Sequence, residues 1–174
     1  MRVRRTRLTP VPAGVPVGVL ATIAMDGAMV AAGRLGGSAF TSDRISIEVV
    51  GRWSAGLMRG RWRGADISAQ PAQPGELALG LLAHYAMGIV LTQAFLLLAR
   101  RGNGQPSVPA ATAFGIATAA LPLLGMYPSM GYGWLALRSG EAARINRIML
   151  VGHTTFGIAI GLWGPRFAQR RPHP

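Results

Sequence analysis

The chain has 174 residues, half of them hydrophobic and 14% charged, enough for one compact domain and apolar enough on average for a membrane. Its formal charge of +12 rests on arginine alone, without lysine, and the arginines flank apolar runs instead of lining an interleaved basic surface, which argues against a nucleic-acid partner. Cysteine is absent, so disulfides, thiolate metal ligands and cysteine nucleophiles are excluded.

Four stretches reach or approach the ~20 residues that cross a bilayer as helix. The first covers about 11–32 and follows Arg2, Arg4, Arg5 and Arg7. Those arginines and "VAA" at 30–32 are also elements of a cleavable signal peptide, but the run is long and Asp26 interrupts it, so a retained span is expected. The loop 34–76 then carries Ile45, Val49, Trp53 and Leu57 at every fourth residue, which predicts an amphipathic helix. Arg44, Glu48 and Arg52 share a neighbouring face and can pair at i, i+4. Such a helix either lies along the membrane surface, or caps the bundle, or docks a partner or an anionic lipid. Arg59, Arg61, Trp62 and Arg63 suit lipid headgroups in the same way as Arg52 and Trp53, and Pro71 and Pro74 make the end of the loop extended. The second span is expected over 77–99 and the third over 108–127, where Pro122 should kink the helix. The fourth covers 145–163, with Arg147 near its end able to snorkel to the interface. The fold class expected is an all-α polytopic membrane protein: a single domain of four transmembrane helices, with an interfacial helix in the first long loop.

An even number of spans puts both termini on one side. Nine arginines fall on each side, but those on the terminal side are concentrated in short segments next to the spans. The positive-inside tendency therefore places both termini in the cytoplasm.

The ionisable residues within the spans invite a geometric reading. Asp26 and His84 each lie about seven residues from the loop-side end of their spans, and His153 about as far into the fourth. At a rise of ~1.5 Å per residue all three sit roughly 10 Å inside the boundary. Each lies on a stripe of small residues at i, i+4: Gly18, Thr22, Asp26; Gly80, His84, Gly88; His153, Gly157, Gly161. Charged groups facing lipid are costly, so one buried polar cluster of Asp26, His84 and His153, with Thr22 beside it, is expected to face the interior. That cluster could fix helix register, relay protons or hold a small solute, since histidine titrates near neutrality. Two imidazoles and a carboxylate could also ligate a metal, and His84 and His153 could ligate a haem. No cofactor is predicted from these alternatives. There is no H-E-x-x-H, P-loop or dinucleotide fingerprint, and no catalytic residue is assigned.

The segments "GVLATIAMD", "VVGRW", "PGELALGLLAHYAMGI", "YPSMGYG" and "LVGHTTFG", in this order from about Gly18 to Trp163, resemble a family of small bacterial inner-membrane proteins, the domain of unknown function 2938. The resemblance implies a four-helix polytopic membrane protein and no activity. It places Thr22, Asp26, Arg52, Trp53, His84, Tyr85 and His153 at positions that resemble the family's pattern. Two functional readings follow. The first is a non-enzymatic accessory or assembly subunit of a membrane complex, whose partners are the bilayer and other membrane subunits. The second is a small binding, proton-relay or transport protein using Asp26, His84 and His153.

Overall fold

The structure, a computed structural model, describes residues 11–35, 46–61, 64, 66–101 and 106–169. Among these residues there is no strand. The helices are α1 (Val11–Leu35), α2 (Ile47–Met58), α3 (Glu76–Arg101), α4 (Val108–Thr118), the short α5 (Tyr127–Ser129) and α6 (Ala142–Gln169). Four helical runs are long and apolar enough to cross a membrane: Gly14–Arg34, Glu76–Arg100, Val108–Ser129 and Ala142–Phe167. The all-helical class with four such runs agrees with the sequence expectation.

Local chemistry sets the boundaries. Ser46 caps α2 by accepting a hydrogen bond from the Val49 amide, and Glu48 complements the positive end of the helix dipole. Ser107 caps α4 in the same way, on the Ala110 amide. The kink expected at Pro122 takes a specific form. Proline cannot donate to the preceding turn, and the third span widens into a π-helical segment over Leu121–Met126 before continuing as α5. The Tyr127 amide closes this segment on the Pro122 carbonyl.

The long helices pack in the order α3, α1, α6, α4, and α3 scarcely meets α4. Small residues set the crossings. A Cβ on Gly115 would collide with the backbone of α6, and one on Gly157 with the backbone of α4. One apolar core lies along the spans around Val17, Ala21, Phe156 and Ile160. A second lies at the loop-side end, where Val49 and Ile67 join Tyr127, Tyr132, Ile145 and Ile148.

The predicted amphipathic helix is α2, and its apolar side faces this second core. Val49 is buried in it, and Trp53 packs against it. Trp53 donates from Nε1 to Ser129 Oγ at the end of the third span, at 2.8 Å. The Ile67 amide, in a 3-10 turn after α2, donates to the Met130 carbonyl at 3.0 Å. α2 also crosses the first turns of α3, where Gly51 and Gly80 allow backbone against backbone.

Arg52 locks the cap. Its Nε and Nη2 donate to the two carboxylate oxygens of Glu76, both at 2.9 Å, and Nη1 reaches the carbonyls of Ile67 and Gln70. The Gln73 amide adds a further bond to Glu76. The Glu76 carboxylate holds the guanidinium above its ordinary pKa, against the opposing effect of burial. With both side chains about nine-tenths buried, removing one partner strands the other. Arg52→Leu is expected to lower stability by about 3 kcal/mol, and Arg52→Lys to recover only part because a single ammonium cannot match the planar fork. Equilibrium unfolding in mixed detergent micelles measures both.

Candidate functional site

α1 presents Gly14, Gly18, Thr22 and Asp26 toward α3. Thr22 is fully buried, donates to the Gly18 carbonyl at 2.8 Å, and fills the space left by the missing side chain of Gly88. One turn further along, Asp26 reaches between two consecutive residues of α3. His84 Nε2 lies 2.8 Å from Asp26 Oδ1, and the Tyr85 hydroxyl donates to Oδ2 at 3.1 Å. The two rings meet edge to face, with centroids 5.6 Å apart. Asp26 and His84 lie eight residues inside Arg34 and Glu76, the loop-side ends of their spans, which is about 12 Å along the helix axis.

The structure brings Asp26, His84 and Thr22 together and adds Tyr85. It gives His153 a different partner: Nδ1 lies 3.0 Å from Thr118 Oγ1 on α4. The reason is the packing order. The small-residue stripe of α1 faces α3, whereas the stripe His153, Gly157, Gly161 faces α4. Equal depth therefore does not bring His153 onto the same carboxylate. Among the described residues no set of three His, Asp or Glu side chains is placed to hold a metal ion.

The sequence predicts an interior-facing Asp26, whereas the residue lies in the crease between α1 and α3, its side chain 40% exposed against 23% for His84. The interior side of α1 is occupied by Val17, Ala21 and Met25.

The hydrogen-bond pattern fixes the tautomers. Thr118 Oγ1 donates its only proton to the Gly115 carbonyl at 2.6 Å, so it must accept from His153 Nδ1–H. A neutral His153 ring then keeps its lone pair on Nε2. The Asp26 carboxylate accepts from His84 Nε2–H, which leaves the lone pair of a neutral His84 ring on Nδ1. Among the described residues Asp26 takes one bond on each oxygen, about half of what a carboxylate can accept.

The residues expected at lipid or partner surfaces are distributed unevenly. Arg52 and Trp53 are engaged within the cap. Arg59 is exposed and bonds to Gln73, and Arg61 is exposed. Trp62 and Arg63 lie outside the described residues. Glu76 and Thr118 complete two of these contacts without having stood out in the sequence. A buried arginine near an acid that opens a span is the signal that points to Glu76, while a threonine within a span ordinarily bonds its own backbone and gives none.

Comparison with known families fits this architecture. The model of the family described as "Protein of unknown function (DUF2938)" matches residues 15–167. The chain belongs to that family. The matched DUF2938 region contains all four long apolar helices almost entirely, α2, and the Asp26–His84–Tyr85 contact. No curated protein and no solved structure matches the chain.

Two outcomes are expected. Nitrogen-15 spectra of the imidazoles should show the ring proton on Nδ1 in neutral His153 and on Nε2 in neutral His84. Asp26→Ala should cost about 1–2 kcal/mol in reversible unfolding, with Asp26→Asn closer to the parent, and a double-mutant cycle with His84→Ala should show coupling.

Proposed function

We propose that the protein is a non-enzymatic subunit of a bacterial inner-membrane complex, with both termini in the cytoplasm, and that a partner transmembrane segment docks on the α1–α3 crease at Asp26. The observation that carries this reading is the half-exposed carboxylate about 12 Å inside the span, with acceptor capacity to spare. Hydrocarbon cannot supply the missing donors, and a polar side chain on a neighbouring membrane segment can. The adjoining surface favours close approach, since a Cβ at Gly27 would touch nothing and Ala31 is exposed four residues on.

A second reading, a proton relay or small-solute site, is favoured by a different feature of the same residues. Tyr85, Asp26 and His84 form a series of proton-exchanging groups that ends on His84 Nδ1, which has no partner among the described residues.

Extraction in mild detergent separates the two. The subunit reading expects the parent protein in a larger assembly and expects Asp26→Leu to leave that assembly while keeping its helical circular dichroism. A clean monomer with no co-purifying membrane protein overturns it. Proton or solute flux through proteoliposomes of the purified protein alone, abolished in Asp26→Leu, would establish the relay reading instead.

A further inference from the structure

The connection between the third and fourth spans turns sharply at the loop-side boundary. Leu135 and Ala136 both adopt left-handed backbone, with φ of 51° and 56°, a conformation that side chains oppose. The turn is held by backbone bonds from Ala136 to Gly133, from Arg138 to Tyr132 and from Ser139 to Ala136, and by Asn146 Nδ2 on the Leu135 carbonyl. Its effect is to bury Ala136 and Ser139 while turning Trp134 and Leu137 outward, 65% and 69% exposed.

Between this turn and the last turns of the third span lies an open cavity of about 660 Å³. It is lined by the apolar Leu124, Pro128, Trp134 and Leu137 and by Arg138. Gly133, at φ +74°, also lines it, and a Cβ there would press on the Arg138 side chain, whose aliphatic stem crosses that position. Among the described residues the Arg138 guanidinium has no hydrogen-bond or ion-pair partner. The acid nearest in sequence, Glu141, is paired with Arg144 at 3.0 Å. The site therefore joins a planar cation that is unpaired among the described residues to an apolar trough just past the end of the third span, with the exposed Trp134 in its wall, a residue type enriched at bilayer interfaces. A free anion would use only the first element, and an acyl chain only the second.

We propose that this cavity binds one anionic phospholipid, with Arg138 forked on the phosphate and an acyl chain lying along Leu124 and Leu137. The inference does not depend on the partner-docking reading of the Asp26 crease. Guanidinium–phosphate pairs are charge-assisted and bidentate, and removing such a bond weakens binding by about tenfold or more.

Native mass spectrometry of the full chain in mild detergent tests the proposal, with dioleoyl phosphatidylglycerol, dioleoyl phosphatidylcholine and inorganic phosphate as probes. The parent should retain a single phosphatidylglycerol in preference to phosphatidylcholine. Arg138→Gln should reduce that retention about tenfold or more. Gly125→Leu should reduce it as well: a Cβ at this cavity-lining position meets nothing within 4 Å, so there is room for a side chain to enter the trough. If Arg138→Gln does not fold, Gly125→Leu decides alone. No preference for the anionic lipid, retention unchanged in a folded variant, or phosphate binding as tightly as the lipid would each overturn the proposal.

Discussion

A carboxylate placed well inside a lipid-spanning helix must bring its own donors, because hydrocarbon offers none. Asp26 meets this requirement with His84 and Tyr85, and since both belong to one helix, the pairing fixes α3 on α1 in rotation and in height. The rest of the α1–α3 contact follows from that register. Thr22 falls on Gly88, Gly18 on Ile89, and Gly14 beside Gln93, an antiparallel ladder with one rung per turn of α1. With this face of α1 committed to α3, Val17, Ala21 and Met25 are left for the core shared with α6. α6 in turn gives its glycine stripe to α4, which completes the order α3, α1, α6, α4.

Much of this is legible in the sequence, for reasons that differ by residue. The four spans show themselves because about 20 apolar residues in a row have few other uses. The common depth of Asp26 and His84 follows from counting along two helices of fixed rise. Counting fails for His153, because it gives height and face but not which neighbour that face meets, and His153 bonds to Thr118. Arg52 shows the same limit at the cap. Spacing along α2 suggests partners at i, i+4, whereas the acid it binds lies 24 residues away on another helix. Pro122 announces a disturbance, but whether the helix bends or widens depends on which carbonyl the next free amides reach, and here the Tyr127 amide reaches that of Pro122.

The cap and the spans are built from different chemistry. Within the spans, close contact relies on glycine and on hydroxyls that satisfy themselves on their own helix, as Thr22, Thr112 and Thr118 do. At the loop-side end water is near, and a guanidinium can be used to tie three segments at once: α2, the turn at Ile67–Gln70, and the start of α3. Trp53 and the Ile67 amide extend the same cap onto the end of the third span. The loop-side ends of the second and third spans are thereby held by contacts that the apolar helices could not make among themselves.

α3 connects these two regimes along a single line. Glu76, Gly80, His84 and Gly88 follow one another at i, i+4, so they share one face of the helix. Glu76 holds Arg52, Gly80 admits the backbone of α2, His84 holds Asp26, and Gly88 seats Thr22. A rigid helix cannot turn about its axis so as to release one of these contacts and keep the others. Rotation that withdrew His84 from Asp26 would also pull Glu76 away from the guanidinium and drive Gly80 off the α2 backbone. The crease in the membrane and the cap at its boundary are therefore one mechanical unit, with α3 as the shared member. Any segment that competes for the Asp26 carboxylate acts against the stability of the cap as well as against a single hydrogen bond.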